Sequence, residues 1–160
     1  MPYFLAIDKE EQLALVLALY ILEQLDPRPP KKIQVLRFVK ARGLITFYED
    51  DEIVRGNGES KWMNDLSWAR EDIKGRGFLT MPEVGVWKLT DAGRTWIVEK
   101  AKKWVELSEQ NPASKDELLK RCRRLNECFF LHMIALGKGQ DVKKRPNQTP
   151  EPTRSARKTS

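Results

Sequence analysis

The chain has 160 residues, of which 41% are hydrophobic and 32% charged, and its formal net charge is +6. Mean hydropathy is −0.56, and no run of about 18 apolar residues occurs, so the sequence predicts no membrane-spanning helix. The first apolar residues have no Lys or Arg before them and are soon followed by acidic residues, which argues against a secretory signal and for a cytoplasmic protein. The length suits one domain of ordinary size and leaves no room for a second, catalytic domain.

Positive charge is concentrated near the end of the chain. Residues 138–160 contain seven basic and two acidic residues, whereas the preceding 137 residues contain 22 basic and 21 acidic ones. Because residues 138–160 are rich in Pro, Thr, Ser and Lys, they predict a disordered basic tail. Any phosphate-binding surface on the rest of the chain must therefore be local.

Three helices are predicted in the first half of the chain. Apolar residues recur at helical spacing from Leu13 to Leu25, behind the candidate N-cap Asp8. A cluster of prolines ends this helix, and a short second helix runs to Gly43. The acidic, Gly-containing stretch over residues 46–60 predicts an exposed loop that includes at most a fragment of helix.

The third helix begins at the candidate N-cap Ser60 and ends at Gly75 and Gly77. Its predicted core residues follow helical spacing and are Trp62, Leu66, Ala69 and Ile73. Two short β-like runs follow, over residues 78–81 and 84–89, with Pro82 and Glu83 as the turn between them. This part of the chain therefore predicts a β-hairpin directly after the third helix.

Two further helices are predicted. Thr90 is the N-cap of the fourth, which ends before Pro112, and a capping-box pattern from Ser114 to Glu117 begins a fifth. The fifth helix carries one apolar stripe, made of Leu118, Cys122, Leu125, Phe129, Met133 and Leu136. We predict either a homodimer through Leu118, Cys122, Leu125, Phe129 and Met133, or packing of this helix on the first one, with neither alternative favoured.

The sequence lacks recognisable catalytic machinery. The single histidine, His132, lies in an apolar helical pattern, where a packed histidine is more common than a general base. The Gly56 to Gly58 run has neither the lysine nor the flanking elements of a phosphate loop. The acidic residues 49–52 are more typical of a solvated loop than of a metal site, and Cys122 and Cys128 are expected to be core thiols. We therefore predict no enzyme activity, no cofactor and no metal.

The order helix, helix, helix, β-hairpin, helix is typical of a winged-helix fold, here a mainly α domain over residues 1–110. Residues 111–137 would pack on it or form the dimer contact. In winged helices the third helix can enter the DNA major groove while the hairpin, or wing, contacts a neighbouring backbone or groove. Winged helices also serve as protein-interaction modules, so the fold leaves both kinds of partner open.

One segment carries a family resemblance. It contains Asn-Asp-Leu-Ser-Trp-Ala-Arg at 64–70, then Ile73-Lys74, Gly77-Phe78-Leu79 and Pro82, and it ends with Gly-Val-Trp-Lys-Leu-Thr at 85–90 and Gly93-Arg94. This segment resembles the amino-terminal winged-helix domain of Mrr-type restriction proteins. The resemblance implies the DNA-recognition part of a bacterial restriction, defence or regulatory protein without its separate nuclease domain.

We predict that double-stranded DNA contacts polar and basic residues of the third helix and the wing. These residues are Lys61, Asn64, Ser67, Arg70, Lys74, Arg76, Lys88 and Arg94. Trp68 is expected to pack under the wing or the first helix, because duplex DNA offers no unstacked base. Asp65, Glu83 and Val84 stand where the family pattern commonly has basic residues, so a protein-interaction module that has lost DNA binding remains the alternative.

Overall fold

The computed structural model describes residues 9–146, and the predicted N-cap Asp8 lies outside them. The described elements are α1 (Glu10–Leu25), α2 (Lys32–Arg42), a 3₁₀ turn (Glu49–Glu52), α3 (Lys61–Gly75), β1 (Leu79–Thr80), β2 (Lys88–Leu89), α4 (Asp91–Gln110), α5 (Ser114–Lys120) and α6 (Glu127–Gly137). A mainly helical chain with one small antiparallel sheet confirms the predicted winged-helix class.

Helix α1 lies at the centre of the fold. Residues 12–19 and Ile21 are all buried, so the helix has no solvent-facing stripe along this stretch. A helix that is apolar on every side is stable only when other elements surround it. Here α2, α3, α4 and β2 all pack against α1.

Helices α2 and α3 form the helix-turn-helix. Helix α2 ends at Gly43, whose φ of 67° is a conformation that side chains other than Gly rarely adopt. The predicted inner face of α3 is confirmed, since Leu66 and Ile73 are fully buried and Trp62 and Ala69 nearly so. This face packs on α1, whereas Trp68, Glu71 and Lys74 on the opposite side of α3 are exposed.

The paired strands of the wing are shorter than the sequence predicts. Leu79 pairs with Leu89 and Thr80 with Lys88, so a seven-residue connection replaces the expected two-residue turn. A third strand position, not predicted from the sequence, lies at Lys31, which bridges Val86. The backbone N–H of Lys32 donates to the Gly85 carbonyl, and that of Trp87 to the Pro30 carbonyl, both at 2.9 Å. The linker before α2 therefore holds the wing in place.

The predicted single fifth helix is wrong, because residues 121–126 separate α5 from α6. The Asn126 side chain accepts a hydrogen bond from the Phe129 N–H at 2.9 Å and so begins α6 as its N-cap. The Glu10 carboxylate accepts from the backbone N–H groups of Arg123 and Leu125, at 3.1 and 2.9 Å. These contacts satisfy backbone donors that a continuous helix would have used internally.

Helix α6 packs against α4. A Cβ added at Gly137 would lie 2.4 Å from the Ala101 carbonyl oxygen, so the two backbones touch at this glycine. The Trp104 ring contacts the rings of Phe129 and Phe130. In the proposed dimer stripe, Leu118, Leu125, Phe129 and Met133 are buried within their own chain and Cys122 is half-buried. The structure therefore does not support a homodimer through these residues.

The expected tail boundary at residue 138 is also wrong. Residues 138–146 are described, and Val142 is 6% exposed within the core. The Gln140 N–H donates to the Ala135 carbonyl at 2.9 Å, and the Arg42 guanidinium donates to the Lys143 carbonyl. An apolar side chain and several backbone bonds thus fix a segment whose composition alone predicts disorder. The rest of the predicted tail, residues 147–160, lies outside the described residues.

A buried ion pair joins the α5–α6 connection to the helix-turn-helix. Arg124 is 2% exposed, and its guanidinium donates to both carboxylate oxygens of fully buried Asp51, each at 2.6 Å. It also donates to Asp65 of α3 at 3.2 Å, and Lys61 lies 3.3 Å from the same Asp65 oxygen. The sequence predicts that the acidic residues 49–52 form a solvated loop. This prediction is wrong for Asp51, which is buried and neutralises a buried arginine.

The same interaction shifts a protonation equilibrium. Hydrogen bonds from Arg124 lower the pKa of Asp51 from its ordinary value of 3.8 to about 2, against the opposing effect of burial. The folded state therefore binds a proton at Asp51 less readily than the unfolded chain does. The corresponding stability is present above pH 3.8 and is lost as the pH falls through the native pKa.

The inner and outer residues of α3 should respond differently to truncation. We expect Leu66→Ala or Ile73→Ala to lower the free energy of unfolding by about 2–5 kcal/mol, because each leaves a cavity in the core. Lys74→Ala, the control on the exposed side of the same helix, should change it by less than about 0.5 kcal/mol. Urea denaturation followed by circular dichroism measures both. Equal effects for the two classes would contradict the placement of α3.

The Asp51 carboxylate should govern part of the acid sensitivity. Asp51→Asn should lower the free energy of unfolding at pH 7 by about 3 kcal/mol, because it removes the fully buried, two-oxygen counter-ion of Arg124 and leaves only the longer contacts to Asp65 and Glu11. It should also remove roughly 2 kcal/mol of the pH dependence between pH 5 and pH 2. Denaturation curves across this pH range test both effects. Asp50→Asn, which changes an exposed carboxylate in the same turn, is the matched control. If the free energy of unfolding falls equally with pH between pH 5 and pH 2 in the two variants, Asp51 does not cause the acid sensitivity.

Candidate functional site

The outer face of α3 is the surface opposite its core residues, and it consists of Asn64, Ser67, Trp68, Glu71 and Lys74. Trp68 is 65% exposed, so the prediction that it packs under the wing or α1 is wrong. At 100° per residue Trp68 points away from Leu66 and Ile73. The interior positions are already filled by Trp62 and Trp87, which are 2% and 1% exposed.

Trp68 separates two surface clefts. The cleft on the α1 side has a volume of about 270 Å³ and is lined by Lys9, Glu11, Gln12, Asp65, Trp68, Ala69 and Asp72. The cleft toward α2 has a volume of about 470 Å³ and is lined by Lys32, Asn57, Glu59, Asn64, Ser67, Trp68, Arg70 and Glu71. Each cleft thus combines the indole with carboxylates, amides and at least one cation.

Four of the predicted DNA-contacting cations are engaged within the fold. Lys61 pairs with Asp65, and Arg70 pairs with Glu71 and lies over the Trp87 ring at 5.6 Å. Arg76 donates to the Gln12 side chain at 2.9 Å and lies 4.8 Å from the rings of both Phe78 and Trp96. Arg94 pairs with Glu23 and Asp91, and its hydrogen bond to Asp91 raises its pKa. These contacts reduce the charge that each cation presents to an external anion.

The other four predicted residues remain accessible. Asn64 accepts a hydrogen bond from the Asn57 side chain at 3.0 Å, and Ser67 donates to the Met63 carbonyl at 3.0 Å. Both are half-buried and retain further hydrogen-bonding capacity. Lys74, near the end of α3, and Lys88, on β2, are exposed and form no salt bridge with another described residue.

Two cations near this face were not predicted from the sequence. Lys31 and Arg55 are exposed, and neither forms a salt bridge within residues 9–146. Lys31 lies beside the wing through its bridge to Val86, and Arg55 lies in the turn closed by the bridge between Val54 and Ser60, directly before α3. Their common signal in the sequence is a basic residue next to an element end, which is too frequent to single them out.

The wing tip carries no positive charge. Val84 is 98% exposed and Glu83 is also exposed, so the two departures from the family pattern lie fully on the surface. Lys88 is the exposed basic residue of the paired strands, opposite Thr80. Contact of the wing with an anion would therefore fall to Lys88 and the adjacent Lys31 and not to the tip.

The titratable residues outside this face show the features of packing residues. His132 is 1% exposed, its Nδ1 lies 2.8 Å from the Cys128 carbonyl and its Nε2 lies 3.3 Å from the Arg42 guanidinium. Burial lowers the pKa of His132, so the ring is neutral at pH 7. Burial raises the pKa of Cys122 to about 12 and also raises that of Cys128. Across residues 9–146, no three or more His, Cys, Asp or Glu side chains are grouped as metal ligands.

A helix long and apolar enough to cross a bilayer is absent from the described part of the chain.

Comparison with known protein families identifies a match. The model of the Mrr N-terminal domain matches residues 17–99, from within α1 to within α4, which is just over half of the chain. No curated protein and no solved structure matches. The matched range contains the helix-turn-helix, the wing and the outer face of α3, and the chain belongs to the Mrr N-terminal domain family.

Proposed function

We propose that this chain is a duplex DNA-binding module of a restriction or defence system, with no catalytic activity of its own. In this proposal the outer face of α3 enters the major groove and the wing contacts the neighbouring backbone. The observation that carries it is the uncovered outer face of α3, set in a winged helix and surrounded by cations without carboxylate partners among the described residues.

The cations supply the sequence-independent part of the affinity. Lys74 is near the end of α3, Arg55 precedes its beginning, and Lys31 and Lys88 are on the side of the wing. A cation with no internal partner gains more from a phosphate than one already neutralised, because each new contact releases condensed counterions. These four residues therefore form the proposed phosphate contacts, in place of Lys61, Arg70, Arg76 and Arg94.

The polar residues of α3 supply the sequence-dependent part. Asn64 is on the first half of the helix, where a recognition helix meets base edges, and an asparagine amide can pair with adenine N6 and N7. Ser67, one turn further along, can contact any base edge through its hydroxyl. The hydrogen bond between Asn64 and Asn57 holds the amide in place before any ligand binds.

The carboxylates near this face limit the affinity less than their number implies. Asp65 is bonded to Lys61 and Arg124, Glu59 lies against Lys32, and Glu71 against Arg70. A carboxylate paired within the fold repels a phosphate less than a free one. The face is then close to neutral at its centre and positive at its edges, which favours modest affinity with strong salt dependence.

The proposal that the chain is non-catalytic rests on the types of residue present. Metal-assisted hydrolysis of DNA needs carboxylates and a general base fixed around a substrate phosphate. The buried neutral His132 and the dispersed carboxylates described above do not supply that arrangement in the described residues. Cutting would then belong to a separate nuclease partner.

A protein-docking function is the second candidate, and Trp68 is the observation that favours it. An indole that is 65% exposed beside Asp65, Glu71 and Asp72 is typical of an anchor in a protein interface. Duplex DNA has no unstacked base for the indole to stack on. A partner with a basic, partly apolar surface would complement this face.

The DNA proposal predicts a specific pattern of lost affinity. Lys74→Gln and Lys88→Gln should each weaken duplex binding for all sequences alike and lower the log-log salt slope by about 0.9 per lost phosphate contact. Asn64→Ala should weaken binding in a sequence-dependent way. Fluorescence anisotropy with labelled duplexes at several salt concentrations measures these effects.

Lys120→Gln is the matched control, because Lys120 is an exposed lysine on α5, away from α3. It should leave both affinity and salt slope unchanged. If Lys74→Gln and Lys88→Gln behave like this control, α3 and the wing do not meet DNA, and the DNA proposal fails.

The proposed absence of catalysis is tested by incubating the wild-type chain with Mg²⁺ and plain or methylated DNA. We expect no cleavage. Cleavage activity that co-elutes with the protein during chromatography would overturn this part of the proposal.

Trp68 distinguishes the two candidate functions directly. With a photoreactive amino acid at position 68, we expect cross-links to DNA in cells if α3 faces the groove, and to a discrete protein if it is a docking face. The exposed Glu109, on α4, provides the control position. A protein adduct specific to position 68, without a DNA adduct, would replace the DNA proposal with the docking function.

A further inference from the structure

A cavity beside the C-terminal extension shares no lining residue with the outer face of α3. It has a volume of about 500 Å³ and is lined by residues of α1, α4, the end of α6 and the segment that follows. Lys102, Lys138 and Lys143 all line it, and none forms a salt bridge within residues 9–146. The acidic residue of the lining is Asp141, so the charged groups leave a net charge of +2.

Close packing of two helices brings the lysines together. At Gly137 the backbone of α6 touches the Ala101 carbonyl of α4, so Lys102 on α4 and Lys138, the residue after α6, lie at the same crossing. A larger residue at position 137 would separate the helices, because its Cβ would lie 2.4 Å from that carbonyl. The helix crossing therefore fixes the backbone from which these two exposed lysine side chains extend.

The third lysine is held by the segment after α6. Buried Val142 anchors this segment, and Asp141 accepts a hydrogen bond from the Lys143 N–H at 2.9 Å. The Arg42 guanidinium donates to the Lys143 carbonyl. The Asp141 carboxylate is thus partly used in fixing the backbone beside it, and Lys143 is held at the cavity without being neutralised.

The remaining lining is apolar or uncharged. Leu136 and Val142 are buried, Tyr20 and Val98 are half-buried, and Gln24 adds an amide. Small-molecule sites typically have volumes of about 300–1,000 Å³ and combine an apolar surface with a few polar anchors. This cavity meets both conditions, and its charged side chains are positive apart from Asp141.

We propose that this cavity binds a phosphate ester whose organic part rests on the Tyr20 side of the lining. A phosphomonoester carries between one and a half and two negative charges at pH 7, which matches the net charge of the lining. Lysine ammonium groups bind phosphate as point charges and tolerate several geometries. The ester comes either from a free mononucleotide, which fits the volume, or from a phosphate of bound DNA.

The test uses the full chain and isothermal titration calorimetry with adenosine monophosphate, inorganic phosphate and adenosine. We expect saturable binding of the monophosphate, weaker binding of phosphate and none of adenosine. Lys102→Gln and Lys138→Gln should each weaken monophosphate binding about tenfold, the loss of one charge-assisted contact. Lys103→Gln, the adjacent lysine on α4 that lines a different surface cleft, should have no effect.

A parallel titration with a short DNA duplex identifies the source of the phosphate. If Lys102→Gln weakens duplex binding relative to Lys103→Gln while the monophosphate itself does not bind, the ester belongs to DNA. If the monophosphate binds and its loss follows Lys102 and Lys138, the ester belongs to a free nucleotide. The proposal is overturned if Lys102→Gln and Lys103→Gln are indistinguishable with every probe while both variants keep the wild-type melting temperature.

Discussion

The buried pair between Arg124 and Asp51 fixes the α5–α6 connection against the helix-turn-helix. Two hydrogen bonds of 2.6 Å connect the α5–α6 connection to the turn before α3, and the same guanidinium reaches Asp65 on α3 itself. A buried charge of this kind is costly without its partner. The C-terminal extension and the helix-turn-helix are therefore coupled, and the position of α3 depends on Arg124, which is 59 positions beyond Asp65 in the chain.

This coupling changes the meaning of the residues near α3. From the sequence alone, Lys61 is expected to attract a DNA phosphate and Asp65 to repel it. In the fold both belong to the network around Arg124, so neither acts as an independent surface charge. The positive charge available to a phosphate instead comes from Lys31, Arg55, Lys74 and Lys88, which the fold leaves without carboxylate partners among the described residues. Cations that are already paired with carboxylates within the fold therefore add little to the charge that this surface offers to a phosphate.

The chain presents two separate surfaces with different chemistry. The outer face of α3 is polar, nearly neutral and centred on an exposed indole, whereas the cavity between α4 and the segment after α6 is lined by three lysines. The first lies within the range matched by the family, and most of the second lies beyond it. The proposed DNA-binding face and the proposed phosphate-ester site therefore lie in different parts of the chain.

The sequence by itself determined the local elements and their order. The helical spacing of apolar residues located α1 to α4, and Thr90 and Gly43 marked the start of α4 and the end of α2. The sequence motifs between Asn64 and Arg94 identified the family. The inner face of α3 followed from the same helical spacing. These features depend on neighbours within a few residues, and so the pattern of residue types carries them.

Tertiary structure decided what depends on distant residues. The break between α5 and α6 arises from Glu10 and Asn126, and Trp68 is 65% exposed whereas Trp62 and Trp87 are buried. The anchoring of Val142, the third strand position at Lys31 and the pairing of Asp51 with Arg124 likewise join residues far apart in the chain. A single sequence contains no signal for such pairs, because residue type fixes what a side chain can bind and only the fold brings its partner within reach.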